Sequence, residues 1–393
     1  MDRVAGFTST GSKRPGALFG IEGEAAPLRM TRSSGCVVWD SEGREYLDYI
    51  MGLGSVALGY GHPEVTRAVA EAAQLGVVGP LPPVLEEALA ADLCRLIPWL
   101  ERVRFLKTGA EAMAAAVRLA RVVTGRDTVL GCGYHGWLDW CQTGEGRGTP
   151  PASQALYREL PFNDAAAARE LIRSAGDSLA AVVFEPVILE PPDPQWLAVL
   201  REETLRSGAL LVADEIKTVC RLAIGGGCER YGIRPDLAVI GKAIANGLPL
   251  AAVGGRADVM EAVSRTWISS TLATEFVSLA ASQATLAAMV RLQVPAHLTR
   301  VGTRLLAGLQ ALAAAHPEIV VRAVGLPEMC SLEYRDETVS GRVATACAAR
   351  GLLFKRSAYN FVSLAHDEAI VDRTLGILDE AHSAVAAGPA LSP

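Results

Sequence analysis

A single lysine stands in an almost uncharged stretch of this 393-residue chain. Lys242 follows the apolar run LAVIG and precedes AIANGLPLAAV, so small and aliphatic residues surround it in the sequence. Desolvation in such a setting lowers the pKa of an amine and favours the neutral form that attacks carbonyl carbon. The stretch therefore indicates a Schiff-base lysine, although a lysine at a strand end is, without this context, usually a surface residue.

The dipeptide Gly241-Lys242 also raises the alternative of a nucleotide-binding P-loop. That motif needs Ser or Thr directly after the lysine and Gly six positions before it. Ala243 and Asp236 occupy those two positions, so the sequence disfavours a P-loop.

An acidic residue, Asp214, follows the apolar run LLVA in the same half of the chain. Ligands of open α/β sheets bind at the carboxyl ends of the strands, where Asp214 and Lys242 would both point. A buried carboxylate needs a partner, and the protonated pyridine nitrogen of pyridoxal phosphate (PLP) is one. The alternative is that Asp214 or Glu215 only caps a helix.

Two further turns carry groups that suit a phosphorylated, planar ligand. Gly109 and Ala110 open a predicted helix, whose free N–H groups and positive dipole end would hold a phosphate; helix capping alone is the alternative. In CGYHGW, Tyr134 and His135 come just after a strand, where an aromatic face would stack on a planar ring. Most aromatic residues in such positions are simply part of the core.

The elements that must position these residues follow an α/β pattern. Segments such as EAMAAAVRLARVV (111–123) and PEVTRAVAEAAQL (63–75) predict helices between short apolar strands, which suit a buried, mostly parallel sheet. We expect a large domain at 56–288 and a smaller α+β domain formed from both chain ends, 1–55 and 289–393. The predicted strands are VRFL (103–106), TVL (128–130), LAAVVF (179–184), ALLVA (209–213), LAVI (237–240) and AAVGG (251–255).

Composition limits the possible partners. The formal charge is −6 with no dense Lys/Arg block, which disfavours nucleic acid and membrane surfaces and favours a small-molecule substrate. Eight scattered cysteines lack C-x-x-C pairs, so we expect reduced thiols and no metal site. The first twenty residues lack the order of a secretory signal, and we therefore expect a cytoplasmic location.

Several motifs, in order, resemble the class III aminotransferases of PLP fold type I. They are KTGAEA, GYHGW, FEPV, ADEIKT, PDLAVIGKAIANGLPLAAVGG and SSTLATE. Within that family the chain looks most similar to the glutamate-1-semialdehyde aminomutase-like branch, and the similarity extends over nearly the whole chain. The resemblance implies the fold, PLP as the cofactor, and a homodimer with shared active sites.

Carried over residue by residue, the resemblance makes Lys242 the lysine that binds PLP and shuttles protons. It makes Asp214 the partner of the pyridine nitrogen. Ile216 matches the aliphatic residue on one face of the PLP ring, and Tyr134 matches the aromatic residue on the other.

The remaining matches concern the phosphate, the dimer and the substrate. Gly109 and Ala110 match the phosphate cradle, and Thr271 matches the threonine that reaches the phosphate of the neighbouring subunit. An N-cap for the following helix is the alternative role of Thr271. Glu190 matches a glutamate that pairs with a substrate-gating arginine. Apart from these matches, LLFKRSAYNF offers Lys355 and Arg356 as weaker candidates that could bind a substrate carboxylate or phosphate, and a solvated basic pair is the alternative.

The sequence therefore predicts a PLP-dependent aminotransferase that moves an amino group between an amino donor and a small aldehyde or ketone. A PLP-dependent aminomutase or epimerase of the same family is the alternative, because it uses the same residues. Departures from the family pattern at 218–221 (TVCR) and 273–274 (AT) leave the substrate open. No G-x-G-x-x-G follows a strand, which disfavours a nicotinamide-dependent oxidoreductase.

Overall fold

The computed structural model describes residues 3–20, 26–144 and 148–388. The chain divides into two compact units. One comprises Pro63–Pro295, and the other comprises the described residues up to His62 together with those from Ala296 onward. The predicted boundaries, after residues 55 and 288, lie seven residues before these.

The amino-terminal segment contains an antiparallel hairpin over residues 37–48. Its turn is held by the carboxylate of Asp40, which accepts hydrogen bonds of 2.9 Å from the N–H groups of Glu42 and Arg44. The last helix, α2, is one turn whose residues have positive φ, from 46° to 83°. The elements are α1 (Pro15–Phe19), β1 (Met30–Ser34), β2 (Val37–Asp40), β3 (Glu45–Asp48) and α2 (Met51–Gly54).

The central unit is a seven-stranded sheet with helices around it, and all six predicted strands are present. The strand order is β4-β10-β9-β8-β7-β5-β6. The elements are α3 (Pro63–Gln74), α4 (Val84–Leu96), β4 (Arg102–Leu106), α5 (Gly109–Thr124), β5 (Thr128–Cys132), α6 (Pro151–Gln154), β6 (Tyr157–Glu159), α7 (Ala165–Ala175), β7 (Leu179–Phe184), α8 (Pro194–Ser207), β8 (Leu210–Asp214), α9 (Gly226–Tyr231), β9 (Leu237–Ile240), β10 (Ala251–Gly255), α10 (Ala257–Met260) and α11 (Phe276–Arg291).

The sheet is mostly parallel, as predicted, and one strand is reversed. Strands β6, β5, β7, β8 and β9 are parallel, but β10 is antiparallel to both of its neighbours, β9 and β4. Only residues 241–250 connect β9 to β10, and a parallel return would need a crossover of about a dozen residues or more. Because β10 alone is reversed, β4 ends at the same edge of the sheet as the parallel strands.

The carboxy-terminal segment completes the second unit. Its β13 pairs in parallel with β3, so the two chain ends share one four-stranded sheet, β1-β2-β3-β13. A second sheet has the order β11-β12-β14. The elements are α12 (Val294–Ala315), β11 (Val320–Leu326), β12 (Met329–Tyr334), α13 (Glu337–Ala349), β13 (Leu352–Leu353), β14 (Asn360–Phe361) and α14 (Glu368–Ala386). Within the described ranges, none of these helices has the length and apolar character that spanning a membrane requires.

Candidate active site

The carboxyl edge of the central sheet collects the predicted site residues. Tyr134 and His135 follow β5, and Asp214 ends β8. Lys242 follows β9, and Gly109 lies just beyond β4. The ladder pairs Phe184 of β7 with Ala213 of β8 and Asp214 with Val239 of β9, so the strand ends stand side by side.

Lys242 begins a short 3-10 turn, Lys242–Ala245, directly after β9. Its φ is +48°, a left-handed conformation that costs a residue with a side chain on the order of 1–3 kcal/mol and is concentrated at functional sites. Burial is the main cause of a lowered pKa of its amine, and the nearby Lys217 charge lowers that pKa further. Asp214 and Glu185 oppose this shift.

Asp214 is 4% exposed and is held at two points. Its Oδ2 atom lies 2.8 Å from Nδ1 of His135, and its Oδ1 atom accepts a 3.2 Å hydrogen bond from the Ile216 N–H. The ring of His135 is buried and stacks on Trp140, with ring centres 6.1 Å apart. Its Nε2 atom has no hydrogen-bond partner among residues 3–20, 26–144 and 148–388. His135 thus orients the Asp214 carboxylate.

Helix capping, the alternative role for this acidic pair, belongs to Glu215. Its buried carboxylate accepts hydrogen bonds from the N–H groups of Gly227 (2.8 Å) and Cys228 (2.6 Å) at the start of α9. Thr218 donates a third bond to it. Burial raises the pKa of Glu215, and these three donors oppose that rise. Asp214 points its carboxylate to His135 instead.

The start of α5 has the form expected of a phosphate cradle. A capping box joins Thr108 and Glu111: the hydroxyl of Thr108 accepts from the Glu111 N–H, and the Glu111 carboxylate accepts from the Thr108 N–H. The first N–H group that bonds within the helix is that of Ala112, which donates to the Thr108 carbonyl. The N–H groups of Gly109 and Ala110 come before it and have no partner within the helix. Helix capping is therefore present at the start of α5, but it leaves the N–H groups of Gly109 and Ala110 as donors for a phosphate.

Two glycines at this edge let the side chain of Ile216 lie close against the backbone. A Cβ atom on Gly109 would lie 2.8 Å from Cδ1 of Ile216, and one on Gly241 would also lie 2.8 Å from that atom. Ile216 thus contacts the backbone both at the start of α5 and next to Lys242. Tyr134 lies on the exposed side of the edge, with 73% of its surface accessible.

Thr271 is exposed and does not cap a helix, so the N-cap alternative is wrong. Glu275 caps α11, because its carboxylate accepts from the N–H groups of Val277 (2.7 Å) and Ser278 (3.0 Å). The same carboxylate lies 2.6 Å from the amino group of Lys107. This ion pair joins the segment that precedes α5 to the segment that contains Thr271.

The two weaker substrate candidates lie in different units. Glu190 is exposed, after Leu189 with a φ of +54°. Arg356 belongs to the terminal unit, where its guanidinium lies 3.0 Å from Oγ of Ser340 and 3.1 Å from the carbonyl oxygen of Gly16. The guanidinium is thus occupied by protein groups, and both substrate assignments stay predictions.

Sequence reasoning gave no role to an ion pair at this edge, between Glu185 and Lys217. Glu185 follows β7 and also accepts a 2.9 Å hydrogen bond from the Tyr134 N–H. Its position after a strand, in FEPV, is the signal that was available. Throughout the described ranges, no group of three or more His, Cys, Asp or Glu side chains could hold a metal ion.

Known proteins resemble this chain over nearly its whole length. Residues 20–380 match the family described as "Aminotransferase class-III". A glutamate-1-semialdehyde 2,1-aminomutase from Thermomicrobium roseum is 35% identical over 430 aligned residues, which cover 98% of each protein.

Solved structures with the same fold include two proteins that are each 27% identical to this chain. The FumI protein of Sphingopyxis sp. MTA144, in its PLP internal aldimine form, has a TM-score of 0.87 and covers 92% of this chain and 89% of its own. An omega-transaminase from Sphaerobacter thermophilus has a TM-score of 0.85 and covers 91% of both chains. These neighbours confirm the predicted fold and agree with the predicted cofactor.

Proposed function

We propose, because this chain belongs to the class-III aminotransferase family, that it is a PLP-dependent aminotransferase acting on small molecules. It moves an amino group from an amino donor to an aldehyde or ketone. The observation that carries the proposal is the placement of Lys242 and Asp214 at one sheet edge, where the adjacent strands β9 and β8 end.

The residues present fit PLP. The two donors at the start of α5, on Gly109 and Ala110, suit its phosphate, since the positive end of the helix dipole favours an anion. The Asp214 carboxylate, oriented by His135, suits the pyridine nitrogen. Ile216 and Tyr134 supply an aliphatic and an aromatic surface for the two faces of the ring.

When bound, PLP supplies an electron sink for the electron pair that remains after the amino donor loses its α-proton. The chain's own residues do the rest. Burial lowers the pKa of Lys242 and so favours the neutral amine, which can bind a carbonyl carbon and afterwards accept and return a proton. The Asp214 carboxylate, held in place by His135, favours a positive charge on the pyridine nitrogen beside it.

We further propose a homodimer with shared active sites. Thr271 is exposed and is followed by Leu272, which is 51% exposed, while Trp267 and Trp137 are 80% and 72% exposed. Tryptophan is mostly buried in proteins and is enriched at interfaces, so these exposed rings favour a protein interface. In a two-fold dimer, each Thr271 hydroxyl would reach the phosphate of the other subunit.

An aminomutase is the second candidate, because the Thermomicrobium roseum and Sorangium cellulosum relatives are both named glutamate-1-semialdehyde 2,1-aminomutase. An epimerase uses the same residues. Nitrogen-15 labelling separates the candidates: transfer of label to a second molecule supports aminotransfer, and retention within one molecule supports a mutase. The cytoplasmic location stays a prediction.

The proposal is tested with purified protein and PLP. We expect the visible absorbance of enzyme-bound PLP, and amines from a donor panel should convert it to the pyridoxamine form. Lys242→Ala should abolish turnover. A wild-type protein that binds no PLP would contradict the proposal.

A further inference from the structure

An enclosed ion pair attaches the loop that carries Thr271 to the segment just before α5. The loop comprises residues 266–275, and we call it the Thr271 loop. Its last residue, Glu275, has its carboxylate 2.6 Å from the amino group of Lys107. Only 14% of the Lys107 side chain and 9% of the Glu275 side chain are exposed. The pair therefore fixes the end of the loop to a residue 168 positions away.

Thr271 is held in place relative to Glu275 by two overlapping turns. In the first, the Ala273 N–H donates to the Ser270 carbonyl at 3.1 Å. In the second, the Glu275 N–H donates to the Leu272 carbonyl at 3.2 Å. A shift of Glu275 would therefore be passed on to Thr271.

The start of the same loop is attached by two arginines. Arg104 of β4 donates to the Ile268 carbonyl, and Arg118 of α5 donates to the Trp267 carbonyl at 2.7 Å. These contacts hold the first residues of the loop, and the ion pair holds its last one. Loss of the lysine charge would thus affect the end of the loop and leave its start attached.

The phosphate cradle itself is supported separately. The Glu111 carboxylate accepts from the backbone N–H groups of Lys107 (3.1 Å) and Thr108 (2.9 Å). This capping box uses the backbone of Lys107 and not its side chain. A change of that side chain should therefore leave the cradle in place.

Glu275 depends on the lysine for its charge. Burial alone would raise the pKa of Glu275, but the hydrogen bonds from Lys107 and Ser278 lower it overall. Removing one partner of a buried ion pair leaves the other charge without compensation, which is strongly unfavourable. Without Lys107, we expect the loop to shift so that water reaches the carboxylate.

We propose, on the premise of the function and the dimer proposed above, that Lys107 is a positioning residue for the phosphate site of the other subunit. Through Glu275 it holds the Thr271 hydroxyl in the place where that phosphate binds. Lys107 touches neither the cofactor nor the reacting atoms in this assignment. A cation of one chain thus serves the active site of its partner.

The test compares PLP with pyridoxal, which lacks the phosphate, by fluorescence titration of the full-length PLP-free protein. In Lys107→Met, we expect Kd for PLP to rise about tenfold, the lower end of the range for a lost hydrogen bond to a charged group. Kd for pyridoxal should stay unchanged, because a shifted Thr271 loop affects only the phosphate. Lys107→Arg keeps the cation and should restore the wild-type Kd for PLP.

Arg173→Met is the matched control. It also removes a cation from a buried carboxylate, that of Glu203, but it lies at the end of α7 that leads into the amino end of β7. That end of the strand is opposite the site. We expect a lower free energy of unfolding in urea and no change in Kd for PLP or for pyridoxal.

Two combinations show whether Lys107 acts through Thr271 of the other chain. In a Thr271→Ala background, Lys107→Met should cause no further rise in Kd for PLP, because the hydroxyl that it positions is gone. When Lys107→Met and Lys242→Ala subunits are mixed, about half of the sites that keep Lys242 should regain the wild-type Kd. Those sites receive their Thr271 loop from a chain with an intact ion pair.

If Lys107→Met does not fold by circular dichroism, Glu275→Gln replaces it, since its amide oxygen can still cap α11 without the charge. The proposal is overturned by an unchanged Kd for PLP, an equal rise for pyridoxal, a full further rise in the Thr271→Ala background, or no recovery in the mixed dimers. A wild-type protein that binds no PLP would contradict the proposed function as well, so the two failures are distinguishable.

Discussion

Replacing Thr271 with Ala separates the two roles that its position allows. The structure shows that Glu275 already caps α11, so loss of an exposed hydroxyl should change the free energy of unfolding of the PLP-free chain by less than about 0.5 kcal/mol. An N-cap would cost about 1 kcal/mol. If the hydroxyl instead binds the phosphate of the other subunit, its removal costs about 1.5–3 kcal/mol, or roughly 10- to 150-fold in Kd for PLP.

The assay is fluorescence titration of the PLP-free protein with PLP, together with urea unfolding. Thr303→Ala, on an exposed helical position, is the matched control and should leave Kd unchanged. Mixing Thr271→Ala with Lys242→Ala subunits should restore about a quarter of the wild-type sites, because random pairing gives half heterodimers, each with one intact site. An unchanged Kd, or full activity of a monomer, would refute the reasoning.

Three further outcomes follow from the geometry. Asp214→Asn should retain PLP but slow α-proton removal by about 10²–10³-fold in single-turnover absorbance experiments, and near-normal turnover would show that Asp214 faces elsewhere. Two arginines lower the pKa of the buried Glu203 to about 2, so Glu203→Gln should cost about 2 kcal/mol in urea unfolding at pH 7; because the folded-state pKa is depressed, that difference should shrink as pH falls from about 4.5 towards 2. Gly133→Ala should destabilise the chain more than Gly125→Ala, since both have positive φ but only Gly133 packs on Glu185; equal losses would refute the close contact.

The strands and their ends could be predicted because local patterns determine them. The run LLVAD is apolar until its last residue, and the structure ends β8 at that Asp214. The family and the fold, which the comparisons confirm, could also be predicted from local sequence, because ordered motifs mark the turns at the sheet edge. The reversed β10 could also have been predicted, from the short link that precedes it.

The partners of the site side chains could not be predicted in this way. His135 and Asp214 are 79 residues apart, Lys107 and Glu275 are 168 apart, and nothing in their local sequence indicates contact. Such pairs depend on the order of the strands in the sheet. That order is determined by the crossover connections and not by the types of the paired residues. The different roles of Asp214, which contacts His135, and Glu215, which caps α9, could not be predicted either, because they depend on where α9 packs against the end of β8.

The central claim is that Lys242 is the amine that binds PLP. Treating the PLP-loaded protein with sodium borohydride fixes the cofactor to that amine, and mass spectrometry of the digest then locates it. Our account predicts the added mass on Lys242 and on none of the other four lysines. Attachment at Lys217 or another lysine, or no attachment at all, would contradict it.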